Sequence, residues 1–329
     1  MSTANSALAL AALAACGGRE RQPATTRVGP ALAASFAAAD QTRAPWRCTA
    51  DDLPALADEA FEAGGHRWTL HAHALHRSDG GDAGDVATIG FVADAGGAAP
   101  ATLAALGRLR AQLDAAKPDV VVALGGMGAS EPELEATLGV LAEDASFPVV
   151  ALPGDLEPAE AERAALVALA RRGTRVVDGR LARWIELPGT TLATIPGAGS
   201  SARLVAGADG CAWNATDVTA IYVALAAHDG LRVAASSEAP RELVAGEPTG
   251  DGALVPPPGQ VDVVVHGPTG AAPTIARTGA RDGRAAALSP GTSDATTRLP
   301  EPHAPSAGLL AVRGGTWTWR PVTDPTAAR

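Results

Sequence analysis

A chain of 329 residues, 47% of them hydrophobic, is long enough to bury one large core or two small ones. Its net charge of −10, with Lys117 the only lysine, excludes the basic surface that nucleic-acid binding needs. No apolar run approaches the ~20 residues of a membrane-spanning helix.

The N-terminus carries a candidate targeting signal. Ala7 to Ala15 is a short apolar run that ends in Leu13-Ala14-Ala15-Cys16-Gly17. Its length suits a signal-peptide core rather than a span. Leu13 to Cys16 resembles the bacterial lipobox, which implies acylation of Cys16, a lipid anchor and a place in the bacterial cell envelope. Several acyl chains anchor stably where one does so marginally. The other reading is an alanine-rich start that happens to contain a cysteine. Residues 17–45 are rich in Arg, Pro, Thr and Ala without periodicity, and read as a tether. The expected organisation is a signal peptide over 1–15, a tether over 16–45, one domain over 46–323 and a tail over 324–329. Cys48 and Cys211 are the remaining cysteines. In an oxidising compartment they form a candidate disulfide; otherwise they are two buried thiols.

Thr49 and Asp52 form a capping pattern for a helix with Leu53, Leu56, Ala60 and Phe61 inside and Gly64-Gly65 as its stop. Arg67 to His76 alternates as a strand, with Trp68, Leu70, Ala72 and Ala74 on one face, in an edge hairpin. Three strand-loop-helix units follow. Their strands are Val86–Ala93, Val120–Leu124 and Phe147–Leu152. Their helices carry the stripes Leu103/Leu106/Leu109/Leu113 and Leu134/Leu138/Leu141, then a third run from Pro158 to Arg172. Apolar strands alternating with helices predict a parallel sheet, whose working residues lie in the loops beyond the strands' carboxyl ends. The second half is strand-rich: Arg175–Asp178, Leu181–Leu187, Thr190–Ile195, Leu231–Ala235 and Val261–His266. A helix over Thr216–His228 interrupts it, and a hairpin of Leu309–Val312 with Thr316–Val322 closes it.

This order resembles the calcineurin-like metallophosphoesterases, which implies an α/β fold, a four-layer α/β/β/α sandwich. That family holds two metal ions with loops reading Asp-x-His, Gly-Asp, Gly-Asn-His-Asp/Glu, a lone His and Gly-His-x-His. Here Asp94-Ala95-Gly96 stands at the first position, keeping the carboxylate and losing the imidazole. Leu124-Gly125-Gly126 stands at the second, with Gly126 in place of the carboxylate that bridges both metals. Gly154-Asp155-Leu156-Glu157 stands at the third, with Leu156 in place of the histidine that assists catalysis. Ser236-Ser237-Glu238-Ala239-Pro240 has no histidine, and Val265-His266-Gly267-Pro268-Thr269-Gly270 lacks both imidazoles of the last motif. Ser289-Pro290-Gly291-Thr292 resembles the turn that often follows.

The resemblance therefore implies the fold and speaks against the activity. The reading is a catalytically inactive metallophosphoesterase-like lipoprotein, a binding or structural module of unknown ligand, with no catalytic residues and no cofactor. The alternative is a divergent metal-dependent phosphoester hydrolase. In it Asp94, Asp155, Glu157 and His266 hold one divalent ion, best Ca²⁺ if oxygen ligands dominate. Against that set, Asp155 caps the helix after it, Glu157 complements that helix's dipole and Asp94 bonds its own turn. His71, His73 and His76 are half of a zinc site or the polar face of an edge strand. Gly125-Gly126-Met127-Gly128 lacks the dinucleotide fingerprint.

Overall fold

The structure is a computed structural model that describes residues 47–49, 56–79, 86–199, 204–241, 250–277, 285–296 and 303–326. The signal peptide, the lipidation site Cys16 and the tether lie outside the described residues.

Two sheets form the middle of the molecule. The strands are β1 (Leu56–Ala63), β2 (His66–Ala72), β3 (Ala74–Arg77), β4 (Ala87–Val92), β5 (Val120–Ala123), β6 (Val149–Ala151) and β7 (Val176–Asp178). They continue as β8 (Trp184–Leu187), β9 (Thr190–Ile195), β10 (Leu231–Ser236), β11 (Val263–His266), β12 (Thr274–Arg277), β13 (Ala286–Ser289), β14 (Ser306–Arg313) and β15 (Thr316–Thr323). The six-stranded sheet runs β15-β14-β4-β5-β6-β7, and the nine-stranded sheet runs β1-β2-β3-β8-β9-β10-β11-β13-β12. Strands β4 to β7 are mutually parallel, as are β9, β10, β11 and β13.

The helices are α1 (Pro100–Ala116), α2 (Glu131–Ala142), α3 (Ala159–Arg171) and α4 (Ala215–Leu225). Leu106, Leu109 and Leu113 of α1, Leu134, Leu138 and Leu141 of α2, and Leu166 and Leu169 of α3 join one large core with both sheets. Alternation along the nine-stranded sheet assigns its two faces. Val233, Ala235, Val263 and Val265 belong to that core. Ala234 and Val264, between them, belong to a second core with Val218, Ile221, Tyr222 and Leu225 of α4. The layers are therefore helices, six-stranded sheet, nine-stranded sheet and helix, the four-layer α/β/β/α sandwich.

Two expectations at the start of the domain are corrected. Leu56–Ala63 is a strand paired antiparallel with β2, not a helix. Its Glu and Ala content favours a helix, but Phe61 and Ala63 are buried and Glu62 exposed, the period of a strand. Gly64-Gly65 ends no helix: both residues have positive φ, +63° and +81°, the conformation of a two-residue hairpin turn. The single strand over Arg67–His76 is two strands, folded back at Ala72-His73 with His71 opposite Ala74. β12 and β13 went unread because they flank a Gly/Arg-rich stretch without clear alternation.

The disulfide pair is joined. Cys48 and Cys211, 163 residues apart in sequence, are bonded with their Cα atoms 5.4 Å apart. Both are fully buried and pack on Ala159, the first residue of α3. The bond fastens residues 47–49 to the body, where Arg47 also donates to Asp217 at 2.6 Å.

Candidate functional site

The carboxyl ends of the parallel strands of both sheets meet at one edge of the sandwich, and the loops there bond directly to one another. Asp94 N donates to Gly125 O and Gly96 N to Gly126 O, each at 2.8 Å, joining the loops after β4 and β5. Gly197 N donates to Pro153 O at 2.7 Å, joining the loops after β9 and β6. Ser293 N and Asp294 N donate to Ala93 O and Asp94 O at 2.9 and 3.0 Å, bringing in the loop after β13. The loops after Ala93, Leu124 and Leu152 thus converge as the strand order predicts.

A cavity of about 450 Å³ opens among them, and Asp94, Gly126, Asp155, Ser237, Glu238 and Thr269 lie on its wall. Its charged side chains are three carboxylates; among the described residues no Arg, Lys or His lines it. Among the described residues Asp94 is one of four non-glycine residues with positive φ, at +51°. Its main chain is held on both sides, since its carbonyl also accepts from Thr292 Oγ1 at 2.7 Å. Glu238 accepts from Gly199 N at 3.0 Å. Sequence reasoning passed over Glu238 by looking only for a histidine in Ser236–Pro240. The available signal was an acidic residue two positions past the end of a parallel strand.

The four proposed ligands do not act as one group. Asp94 and Asp155 reach the cavity. Asp155 does not cap α3, whose first turn receives no side-chain cap. Glu157 is 1% exposed and turned into the loops, where its partners are main-chain amides. Oε1 accepts from Met127 N at 2.5 Å and Gly128 N at 3.4 Å, and Oε2 accepts from Gly154 N at 2.8 Å. Burial raises its pKa above the usual carboxylate range, against the opposing pull of those amides. His266 is 1% exposed. Alternation puts it on the side of β11 that Val264 presents to α4, away from the inter-sheet face of Val263 and Val265. Burial pushes its pKa down to about 4, and its Nδ1 lies 2.7 Å from Gly267 O. Among the described residues no group of three or more His, Cys, Asp or Glu is arranged to hold a metal ion.

The early histidines also separate. His71 pairs with Asp58 at 2.7 Å, His73 Nδ1 lies 3.0 Å from Leu181 O, and His76 faces Glu186 at 3.3 Å. His71 lies in β2 and His73 in the turn that follows, so the two do not share a strand face as half of a zinc site.

A dimetal centre does not fit these loops. Gly126, at the bridging-carboxylate position, has φ +70°, and a Cβ on it would lie 2.7 Å from Asp94 Cα. Gly267 is also tightly packed: a Cβ on it would lie 2.0 Å from Ser237 O. Real Cβ atoms do not approach main chain so closely, so both glycines mark backbone packed on backbone, and at Gly126 that is where a ligand side chain would stand. The remaining carboxylates also make the wall acidic, which repels a phosphate ester unless a cation intervenes.

No family model matches this chain, and no curated protein matches it. Solved structures do. One superposes with a TM-score of 0.50 at 12% identity, covering 72% of this chain and 99% of its own. A dimetal phosphatase from Danio rerio gives 0.47 at 12% identity, over 72% of this chain and 99% of its own. Purple acid phosphatase PPD1 from yellow lupin seeds gives 0.48 at 12% identity, over 77% of this chain and 55% of its own. At such identity the likeness is one of fold.

Proposed function

We propose that this chain is a metallophosphoesterase-like module that works by binding or scaffolding, without dimetal phosphoester hydrolysis. The observation that carries this is Gly126. The position that would bridge two metals is a left-handed glycine whose missing Cβ leaves room only for Asp94. A dimetal site acts by lowering the pKa of a bridging water and clamping phosphoryl oxygens, and both need fixed ligands at that point. Hydrolysis of a bis-aryl phosphate, measured with Mn²⁺ or Zn²⁺ added, tests the reading. The expected rate equals that of the Asp94→Ala variant. Turnover that Asp94→Ala abolishes would establish the other reading, a divergent hydrolase using Asp94 and Asp155.

The same proposal sets the module on a lipid anchor at Cys16 in the bacterial cell envelope. Leu13-Ala14-Ala15-Cys16 supports it, and an even pair of bonded cysteines accords with an oxidising compartment. Cys16→Ser is expected to move the protein from the membrane fraction to the soluble one; retention in the membrane would refute the anchor.

A further inference from the structure

In a metal-dependent site of this topology, the ions also tie together loops that arrive from different strands. Where no centre fits, main-chain bonds tie the β5 loop to the β4 loop and the β6 loop to the β9 loop, and the glycine-rich β5 and β6 loops need a tie of their own. Gly125-Gly126-Met127-Gly128 and Pro153-Gly154-Asp155 supply main-chain amides and few anchoring side chains. One carboxylate serves both. Glu157 Oε1 takes Met127 N at 2.5 Å and Gly128 N at 3.4 Å, from the β5 loop. Glu157 Oε2 takes Gly154 N at 2.8 Å, from the β6 loop.

We propose that Glu157 acts as an internal anion that cross-links the β5 and β6 loops at an edge where no dimetal centre does so. Three features carry this beyond an incidental contact. The side chain is 1% exposed, so its charge is removed from water and must be compensated by the groups around it. Hydrogen bonds to a charged acceptor are roughly twice as strong as neutral ones, and amide donors from two loops supply them. The polarity is also inverted relative to a metal: a cation gathers carboxylates, whereas here a carboxylate gathers N–H groups. That inversion matches loops in which ligand side chains are replaced by glycine, since bare backbone has amides to offer. The inference goes beyond the proposed function, because a tie of this kind is compatible with any ligand in the cavity.

The cross-link uses both oxygens of one carboxylate, so Glu157→Gln separates the alternatives. Glutamine keeps shape and volume but has one acceptor oxygen; its NH₂ must face an amide donor of one loop or the other. Amide hydrogen exchange on the full chain is expected to quicken about tenfold or more at Gly154 or at Met127 and Gly128. The sheet amides of Val121 and Val150 should be unchanged. Glu157→Asp keeps the charge and loses one methylene; it tests the same contacts should the glutamine variant fold poorly. Adding Mn²⁺ or Zn²⁺ to the wild-type chain should leave exchange in both loops as it was. Unaltered exchange in both loops of either folded variant would overturn the proposal, as would a metal that slows exchange in the wild type. Neither outcome depends on phosphoester turnover.

Discussion

Gly126→Asp, which restores a carboxylate to the bridging position, is expected to lower stability by roughly 3–5 kcal/mol and to recover no metal binding. Two costs add. The φ of +70° at Gly126 is left-handed, where a β-carbon is strained. The new Cβ would lie 2.7 Å from Asp94 Cα and 3.0 Å from Asp94 Oδ1, so backbone must move and two carboxylates are forced together. Gly126→Ala carries the φ strain and the Cβ clash without the charge and should lose nearly as much. Urea midpoints give the stabilities, and titration calorimetry with Mn²⁺ gives the binding. A Gly126→Asp protein as stable as wild type would show that the loops have room, and that the site is only unarmed rather than closed.

Breaking the Cys48–Cys211 bond is the second large effect. In the chain-entropy treatment a bond closing a loop of this length is worth about 5 kcal/mol, so the double variant Cys48→Ser/Cys211→Ser should lose close to that amount. The effect should reach the cavity edge. Cys211 O accepts from Ala198 N at 3.0 Å, and Gly197 beside it donates to Pro153 O at 2.7 Å. Gly197 can approach that closely only as glycine, since a Cβ there would lie 2.2 Å from Cys211 O. Loosening residue 211 therefore loosens the contact between the β9 and β6 loops. Denaturant unfolding with and without reductant measures the loss. A change below about 1 kcal/mol would show that the fold holds this region without the bond.

The fold was legible where hydrophobic period and strand-helix alternation coincide. Strands β4, β5, β6 and β9 lie within their expected bounds, and α1 stops before Pro118 as expected, with Lys117 in the left-handed conformation. The first strand was not legible, because Glu59, Glu62 and the alanines favour a helix locally, and only pairing with β2 overrides that preference. Asp94 and Asp155 lie on the cavity wall because parallel strands announce where their loops point. His266 was misplaced because a strand's last residue can face either layer, and only the neighbouring valines assign it. For Glu157 the sequence offers a metal ligand or a helix-dipole partner, whereas its carboxylate is bonded to main-chain amides of two loops. Its spacing from Gly154, three residues, matches the reach by which a capping glutamate returns to an amide at its own loop, and that was the visible clue. Its contacts with Met127 and Gly128 join segments about 30 residues apart, and no local pattern contains them.

The central proposal is that the loops around the cavity hold no dimetal centre, because Gly126 leaves no room for a bridging ligand. Metal analysis of the full chain, purified without chelators and dialysed against Mn²⁺ and Zn²⁺, tests it most directly. The account predicts well under one equivalent of bound metal and no change in the thermal midpoint when metal is added. Two equivalents per chain, lost together when Asp94 and Asp155 are replaced by alanine, would contradict it.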